Sequence, residues 1–192
     1  MTEGVDMLIH SDQDLFLWLN GHHTPFLDTL MYWVTFKYTW APMYVLLIAL
    51  HLRKDWKEGL VQIAVVIIAV VIADKITSGL MKPYFLRFRP CHEPALQGLV
   101  HQVTGCGGLY GFASSHASTS FAVAITWFAF LQTRYKYMWL LFVWAAIYSY
   151  SRVYVGVHYP ADIVIGALIG LLIGVLCLKL YQTFLVRYYV ID

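Results

Sequence analysis

The sequence predicts an all-α integral membrane bundle of about five transmembrane helices with an N-terminal interfacial helix, from three observations. Of its 192 residues, 60% are hydrophobic and 12% charged; its mean hydropathy is +0.64; and its apolar residues gather into stretches near the length a bilayer requires. A soluble fold has no use for so much apolar surface. The net charge of +2 is too small for a nucleic-acid footprint. The whole chain, residues 1–192, reads as one membrane-embedded domain.

Near the N-terminus, Glu3 and Asp6 stand where a cleaved secretory signal would be basic, so this segment is expected to be retained. Asp12 to Asn20 is too short to cross, and it sets Leu15, Phe16, Leu17, Trp18 and Leu19 beside acidic residues, a composition suited to the membrane interface; a frayed terminus is the bland alternative. The spans are predicted at Pro25 to Leu50, Gly59 to Leu80, Ser118 to Leu131, Tyr137 to Tyr150 and Ala161 to Leu185. The third and fourth are short, so their ends should extend into neighbouring polar segments. Pro83 disfavours helical geometry at Lys82, which predicts that the second span ends there.

Basic residues in short loops set orientation. Arg53, Lys54 and Lys57, then Arg134 and Lys136, then Lys179 and Arg187 mark one side as cytoplasmic. Lys82, Arg87, Arg89 and Arg152 lie on the other side, an imbalance that makes sense only if they serve a site.

Polar and ionisable residues beside spans are costly to bury and are functional candidates by default. They form three clusters here: Lys82 to Pro90 (KPYFLRFRP), Ala113 to Ser118 (ASSHAS) and Ser151 to Asp162 (SRVYVGVHYPAD). The first supplies cations. In the second, Ser114 or Ser115 can cap a helix whose free N–H groups attract an anion. In the third, Pro160 suits a first helical turn, and Asp162, four residues after His158, can reach back to the imidazole.

Counting crossings returns all three clusters to one membrane face. Lys82, Arg89 and Arg152, a capped helix start and the histidines His116 and His158 suit a phosphate under attack. Cations neutralise the non-bridging oxygens, one imidazole attacks phosphorus and the other protonates the leaving oxygen. Asp162 would hold the His158 tautomer whose far nitrogen is free.

These clusters resemble the signature of the type 2 phosphatidic acid phosphatase family, which includes undecaprenyl diphosphate phosphatases and, more distantly, vanadium haloperoxidases. Lys82, Arg89 and Pro90 meet its K-x6-R-P pattern, and Ser151, Arg152, His158 and Asp162 meet S-R-x5-H-x3-D. In the middle pattern, P-S-G-H, Ser114 and His116 match while Ala113 replaces proline and Ser115 replaces glycine. The resemblance implies His158 as a nucleophile forming a phosphohistidine, Asp162 as its orienter, and His116 as general acid. It places Lys82, Arg89, Ser114 and Arg152 around the phosphate oxygens, with Ser115 a further phosphate contact through its backbone. It implies no metal and no cofactor.

Arg87 lies off the matched positions and reads as a lipid-headgroup contact as readily as a site residue. Asp74, Ser78 and Lys82 recur at helical spacing, so Asp74 either tunes Lys82 through intervening polar groups or pairs with another helix. His10, His22, His23, His51, His92 and His101 show no ligand-like spacing, and a zinc site is not expected. Cys91 and Cys106 fall on the active-site side; if that side is the periplasm or exterior, a disulfide between them is expected, whereas Cys177 lies in the last span.

The expected function is hydrolysis of a membrane lipid phosphate in a bacterial inner membrane, with the site facing the periplasm or exterior. Undecaprenyl diphosphate is the first substrate, with phosphatidylglycerol phosphate, phosphatidic acid and lipid A phosphate as alternatives. A non-enzymatic lipid or anion transporter would use the same cations but would need neither His158 nor Asp162. A haloperoxidase would share the oxyanion-holding residues, against which the membrane spans argue.

Overall fold

The computed structural model describes residues 2–53 and 55–185; Lys54 and Arg187, two of the orientation-setting basic residues, lie outside them. Among the described residues the regular structure is helical: α1 (Thr2–Gly21), α2 (Pro25–Thr35), α3 (Ala41–Leu52), α4 (Trp56–Asp74), α5 (Lys82–Phe85), α6 (Ser115–Leu131), α7 (Leu140–Tyr154) and α8 (Pro160–Leu180). Two continuous helices are long and apolar enough to cross a membrane, Trp56–Phe85 and Pro160–Thr183, with mean hydropathies of 2.3 and 2.7.

The first predicted span is broken. Thr24 caps α2, accepting from the Leu27 N–H at 3.2 Å, and α2 ends at Phe36, whose backbone is extended. A short 3-10 turn, Lys37–Trp40, leads into α3, where Pro42 occupies the first turn that tolerates it.

The second span runs past its predicted end. Pro83 does not stop it, because the backbone widens into a π-helix over Lys75–Met81, where the Lys82 N–H reaches back five residues to the Thr77 carbonyl. This wider turn relieves the clash of a proline ring with the turn before it. The helix ends instead at Leu86, a non-glycine residue at φ 50°, whose N–H bonds to the Lys82 carbonyl at 3.2 Å. The third and fourth spans extend into the polar clusters as expected, to Ser115 and Tyr154.

The central helix is α6, flanked by α4, α7 and α8. α8 approaches it along Gly166, Gly170 and Gly174, where an added Cβ would stand 2.4 Å from the Ser114 carbonyl oxygen, 2.0 Å from that of Ser118 and 2.3 Å from Ile125 Cγ2. Only hydrogen side chains allow that approach, and the buried Ala117, Ser118 and Ala122 complete the small-residue seam. A second cluster, built from Trp127, Leu131, Leu141, Trp144 and Leu47, fills the opposite end of the bundle.

α1 is a docked helix, not a frayed terminus. Phe16 is fully buried, its ring edge-on to Tyr159 at 5.4 Å. Asn20 is buried and donates to the Tyr154 carbonyl at 2.8 Å, while accepting from the His101 N–H at 2.8 Å.

Candidate active site

The three clusters meet at one end of the bundle. The small-residue seam sets the start of α6 against the start of α8, where the Ser114 N–H donates to the Asp162 carbonyl at 3.0 Å. The α7–α8 turn is closed by the N–H groups of Val157 and His158, both bonded to the Arg152 carbonyl at 3.1 and 3.2 Å. Gly156 makes that reversal possible: its φ is +83°, and a Cβ there would meet the His101 carbonyl oxygen at 2.8 Å.

His158 is buried at 1% exposure, and its Nδ1 lies 3.1 Å from Asp162 Oδ2. The same carboxylate oxygen accepts the Tyr159 N–H at 3.1 Å, so Asp162 satisfies the start of its own helix while orienting the ring. Burial pushes the His158 imidazole well below its ordinary value, and Arg89, Arg152, Lys82 and Arg87 push it the same way. The ring is therefore neutral, with Nδ1–H donated to Asp162 and the Nε2 lone pair free.

Lys82 Nζ donates to Ser115 Oγ at 3.2 Å. Ser115 Oγ in turn meets Ser78 Oγ at 2.6 Å, and Ser78 Oγ donates to Asp74 Oδ1 at 3.0 Å. Asp74 thus connects to Lys82 through intervening hydroxyls, the first of the two alternatives read from its spacing. The serine that replaces glycine in the middle pattern has its side chain in this chain of hydroxyls. Arg152 Nη1 donates to Thr35 Oγ1 of α2. His116 packs against Tyr148, ring centroids 5.5 Å apart.

Ser114 stands at the N-cap of α6, but its hydroxyl makes no capping bond. Among the described residues, Ser114 Oγ, Arg89 Nε and Arg152 Nε are buried and have no hydrogen-bond partner. Three unpartnered polar groups, two of them on cationic side chains, from the three clusters, the last of which carries His158 and Asp162, make a cradle suited to an anion. A tetrahedral oxyanion held there meets guanidinium donors, a hydroxyl and a neutral imidazole. That combination can neutralise a phosphate and attack it.

Arg87 pairs inward, toward the site. Its Nη1 donates to Asp162 Oδ1 at 3.0 Å, its Nη2 pairs with Asp12 Oδ2 at 2.7 Å, and its guanidinium lies 4.1 Å over the Tyr159 ring. Sequence reasoning left Arg87 open between two readings and missed Asp12, Thr35 and Tyr148, because no local spacing links Arg87 to Asp162 or α2 to Arg152. Gly111 belongs with them: a Cβ there would crowd Asp162 Oδ2 at 3.1 Å and His158 Nδ1 at 3.5 Å.

The loop between the first two clusters is pinned at its ends, the Arg89 N–H bonding to the Leu109 carbonyl and the Gly111 N–H to the Arg87 carbonyl, each at 2.9 Å. Cys91 and Cys106 are joined in a disulfide with a Cα–Cα distance of 6.1 Å. His101 Nε2 meets Asp28 Oδ1 at 2.9 Å, and its ring stacks on His23 at 3.6 Å. These distant residues converge without any ligand-like spacing in sequence, and they tie the loop to α2.

Residues 59–185 match the PAP2 superfamily. The chain belongs to that superfamily. Lipid A 4'-phosphatases of Porphyromonas gingivalis and Bacteroides thetaiotaomicron are 35% and 37% identical to this PAP2 chain, covering 92% and 86% of it and 75% of each relative. An undecaprenyl-diphosphatase of Sulfolobus acidocaldarius is 29% identical over 94% of this chain and 83% of the relative. The crystal structure of Aquifex aeolicus LpxE superposes with a TM-score of 0.68 at 27% identity, covering 86% of this chain and 93% of that one. A transmembrane PAP2-type phosphatidylglycerolphosphate phosphatase from Bacillus subtilis shares the fold, with a TM-score of 0.68. This PAP2 protein is accordingly a membrane lipid phosphatase.

Proposed function

We propose that the protein removes a phosphate from lipid A by a two-step transfer through His158. Nε2 attacks phosphorus in line with the ester oxygen, giving a phosphohistidine. Burial and the surrounding cations hold the His116 imidazole down to about 2, so it takes up its proton only as the phosphate anion offsets those cations; it then protonates the departing sugar oxygen, and once neutral again it activates the water that releases inorganic phosphate. Asp162 holds the Nδ1–H throughout, while Arg89, Arg152, Lys82 and Ser114 hold the non-bridging oxygens, joined by the backbone at Ser115. The observation that carries this reading is the cradle of buried polar atoms without a hydrogen-bond partner among the described residues, Arg89 Nε, Arg152 Nε and Ser114 Oγ, together with the His158–Asp162 pair. No step draws on a metal or cofactor.

The identities of 35% and 37% with two lipid A 4'-phosphatases, against 29% with an undecaprenyl-diphosphatase, favour lipid A over the carrier-lipid diphosphate preferred on sequence motifs alone. The sidedness of basic loops supports a five-span bundle in a bacterial inner membrane, its cradle facing the periplasm and α1 lying along that interface. A lipid there keeps its chains in the bilayer while its phosphate enters the polar site.

The test is phosphate release by purified wild type and His158→Ala, in detergent with a chelator, from lipid A, undecaprenyl diphosphate, phosphatidylglycerol phosphate and phosphatidic acid. Fastest release from lipid A, falling by at least about 10³-fold in the variant, is the expected result. Equal release by both proteins would sink His158 as nucleophile, and faster turnover of another lipid would reassign the substrate.

A further inference from the structure

We infer that Asp12 and Arg87 are positioning residues for the nucleophile, and that through them the docking of α1 sets the alignment of His158. The inference rests on attack by His158 as proposed above.

A continuous chain of contacts leads from α1 to the reacting ring. Asp12 Oδ2 pairs with Arg87 Nη2 at 2.7 Å, Arg87 Nη1 donates to Asp162 Oδ1 at 3.0 Å, and Asp162 Oδ2 meets His158 Nδ1 at 3.1 Å. The two oxygens of Asp162 are thus divided between a cation and the imidazole, which leaves the carboxylate no freedom to rotate. Asp12 also accepts the Ala161 N–H at 2.9 Å through Oδ1, supplying the start of α8 with an acceptor from another helix. Tyr159 lies under the guanidinium at 4.1 Å and packs against Phe16 of α1.

This is more than a brace for the N-terminus. Phe16 and Asn20 already bury α1 against the bundle, and neither needs a carboxylate at position 12. Side-chain exposure falls from 22% at Arg87 and 10% at Asp12 to 0% at Asp162, so the path leads from a partly exposed ion pair into the buried carboxylate. Removing Asp12 leaves Asp162 as the remaining carboxylate partner of Arg87 among the described residues, with Tyr159 beneath the guanidinium, so that Arg87 can draw that carboxylate away from Nδ1. The side of α1 away from Phe16 carries Met7, Leu15 and Trp18, all exposed, an apolar stripe suited to the membrane interface.

The experiment compares wild type with Asp12→Asn, Arg87→Lys, Arg87→Met, the Asp12→Asn/Arg87→Met double variant and His158→Gln. It uses the panel lipid that wild type turns over fastest, in detergent with chelator. We expect Asp12→Asn to lower kcat about tenfold with KM within about twofold and the thermal midpoint retained, and Arg87→Lys to recover most of what Arg87→Met loses. Because Asp12 acts through Arg87, the double variant should lose no more than Arg87→Met alone. An activity-independent readout is the low-field proton NMR signal of His158 Nδ1–H, identified by its loss in His158→Gln. It should shift in Asp12→Asn and stay in place in Arg87→Lys.

Unchanged kcat with an unmoved signal in Asp12→Asn, or additive losses in the double variant, would overturn the inference. Should Asp12→Asn not fold, the two Arg87 variants read the same path from its middle: equal kcat and an unmoved signal in both defeat it. Full activity in His158→Gln would instead defeat the underlying mechanism, so the two failures are separable.

Discussion

As the proposed nucleophile, His158 must be uncharged to attack, yet a histidine bonded to a carboxylate is ordinarily held in its charged form. Here burial and four surrounding cations, Arg89, Arg152, Lys82 and Arg87, outweigh Asp162 and keep the ring neutral. The unfolded chain binds a proton near the ordinary imidazole value of about 6.5, which the folded chain refuses. A lowered folded value means that this contribution to stability is complete above about pH 6.5 and is lost as pH falls below it toward the folded value. Wild type should therefore lose thermal midpoint faster than His158→Gln on acidification below about pH 6.5, and the two should run parallel above it. Parallel curves throughout would mean that His158 is not the buried neutral group. The unpartnered Nε atoms of Arg89 and Arg152 belong to the same logic, since buried donors beside the imidazole are suited to an arriving anion.

At the scale of elements, the site depends on how closely α8 approaches α6. His158 precedes α8, His116 lies in the first turn of α6, and the Gly166, Gly170 and Gly174 stripe brings the two helix starts together. At Gly170 a Cβ would stand 2.0 Å from a backbone oxygen, which no side-chain rotation can relieve. Gly170→Val should therefore force the helices apart, destabilising the protein by about 1–3 kcal/mol and weakening phosphate release together with the thermal midpoint. The same substitution at Gly79, where nothing lies within 4 Å of an added Cβ, serves as the control for helix propensity alone. If both variants melt alike, the close approach does not hold the site. The π turn over Lys75–Met81 is a second such device, because it carries the helix past Pro83 and keeps Lys82 on a regular element facing Ser115.

Across the whole molecule, the cradle is assembled from one end of the bundle and a loop laid over it. Arg89 comes from that loop, whose ends are zipped together by two backbone bonds and whose interior is joined by Cys91–Cys106. Closing a loop with a sequence separation of 15 restricts the unfolded chain by about 3 kcal/mol. Reduction, or Cys91→Ser with Cys106→Ser, should lower the thermal midpoint and also kcat, because Arg89 sits two residues from Cys91. Thermal unfolding and phosphate release with and without reductant test both effects. A midpoint that falls while kcat stays constant would show that the backbone bonds alone hold Arg89. The second anchor of this face is the His23–Asp28–His101 cluster, which fastens the same loop to α2.

Much of this was written in the sequence. Hydropathy identified the apolar elements, and the spacings of Lys82 with Arg89 and of Arg152, His158 and Asp162 pointed to the family, because those residues lie within one turn or one short loop of each other. The His158–Asp162 pairing is legible for that reason, four residues apart at the start of a helix. The sequence did not reveal the break at Phe36 or the continuation through Pro83, since both depend on backbone bonds that open or widen a turn under tertiary packing. Nor could it show Arg87 between Asp12 and Asp162, Thr35 against Arg152, or the hydroxyl chain from Asp74 to Lys82. Local periodicity determines which residues share a helix face. Which faces meet is decided only when whole helices pack, and there a glycine stripe and a docked N-terminal helix bring together partners as far as 149 residues apart in sequence.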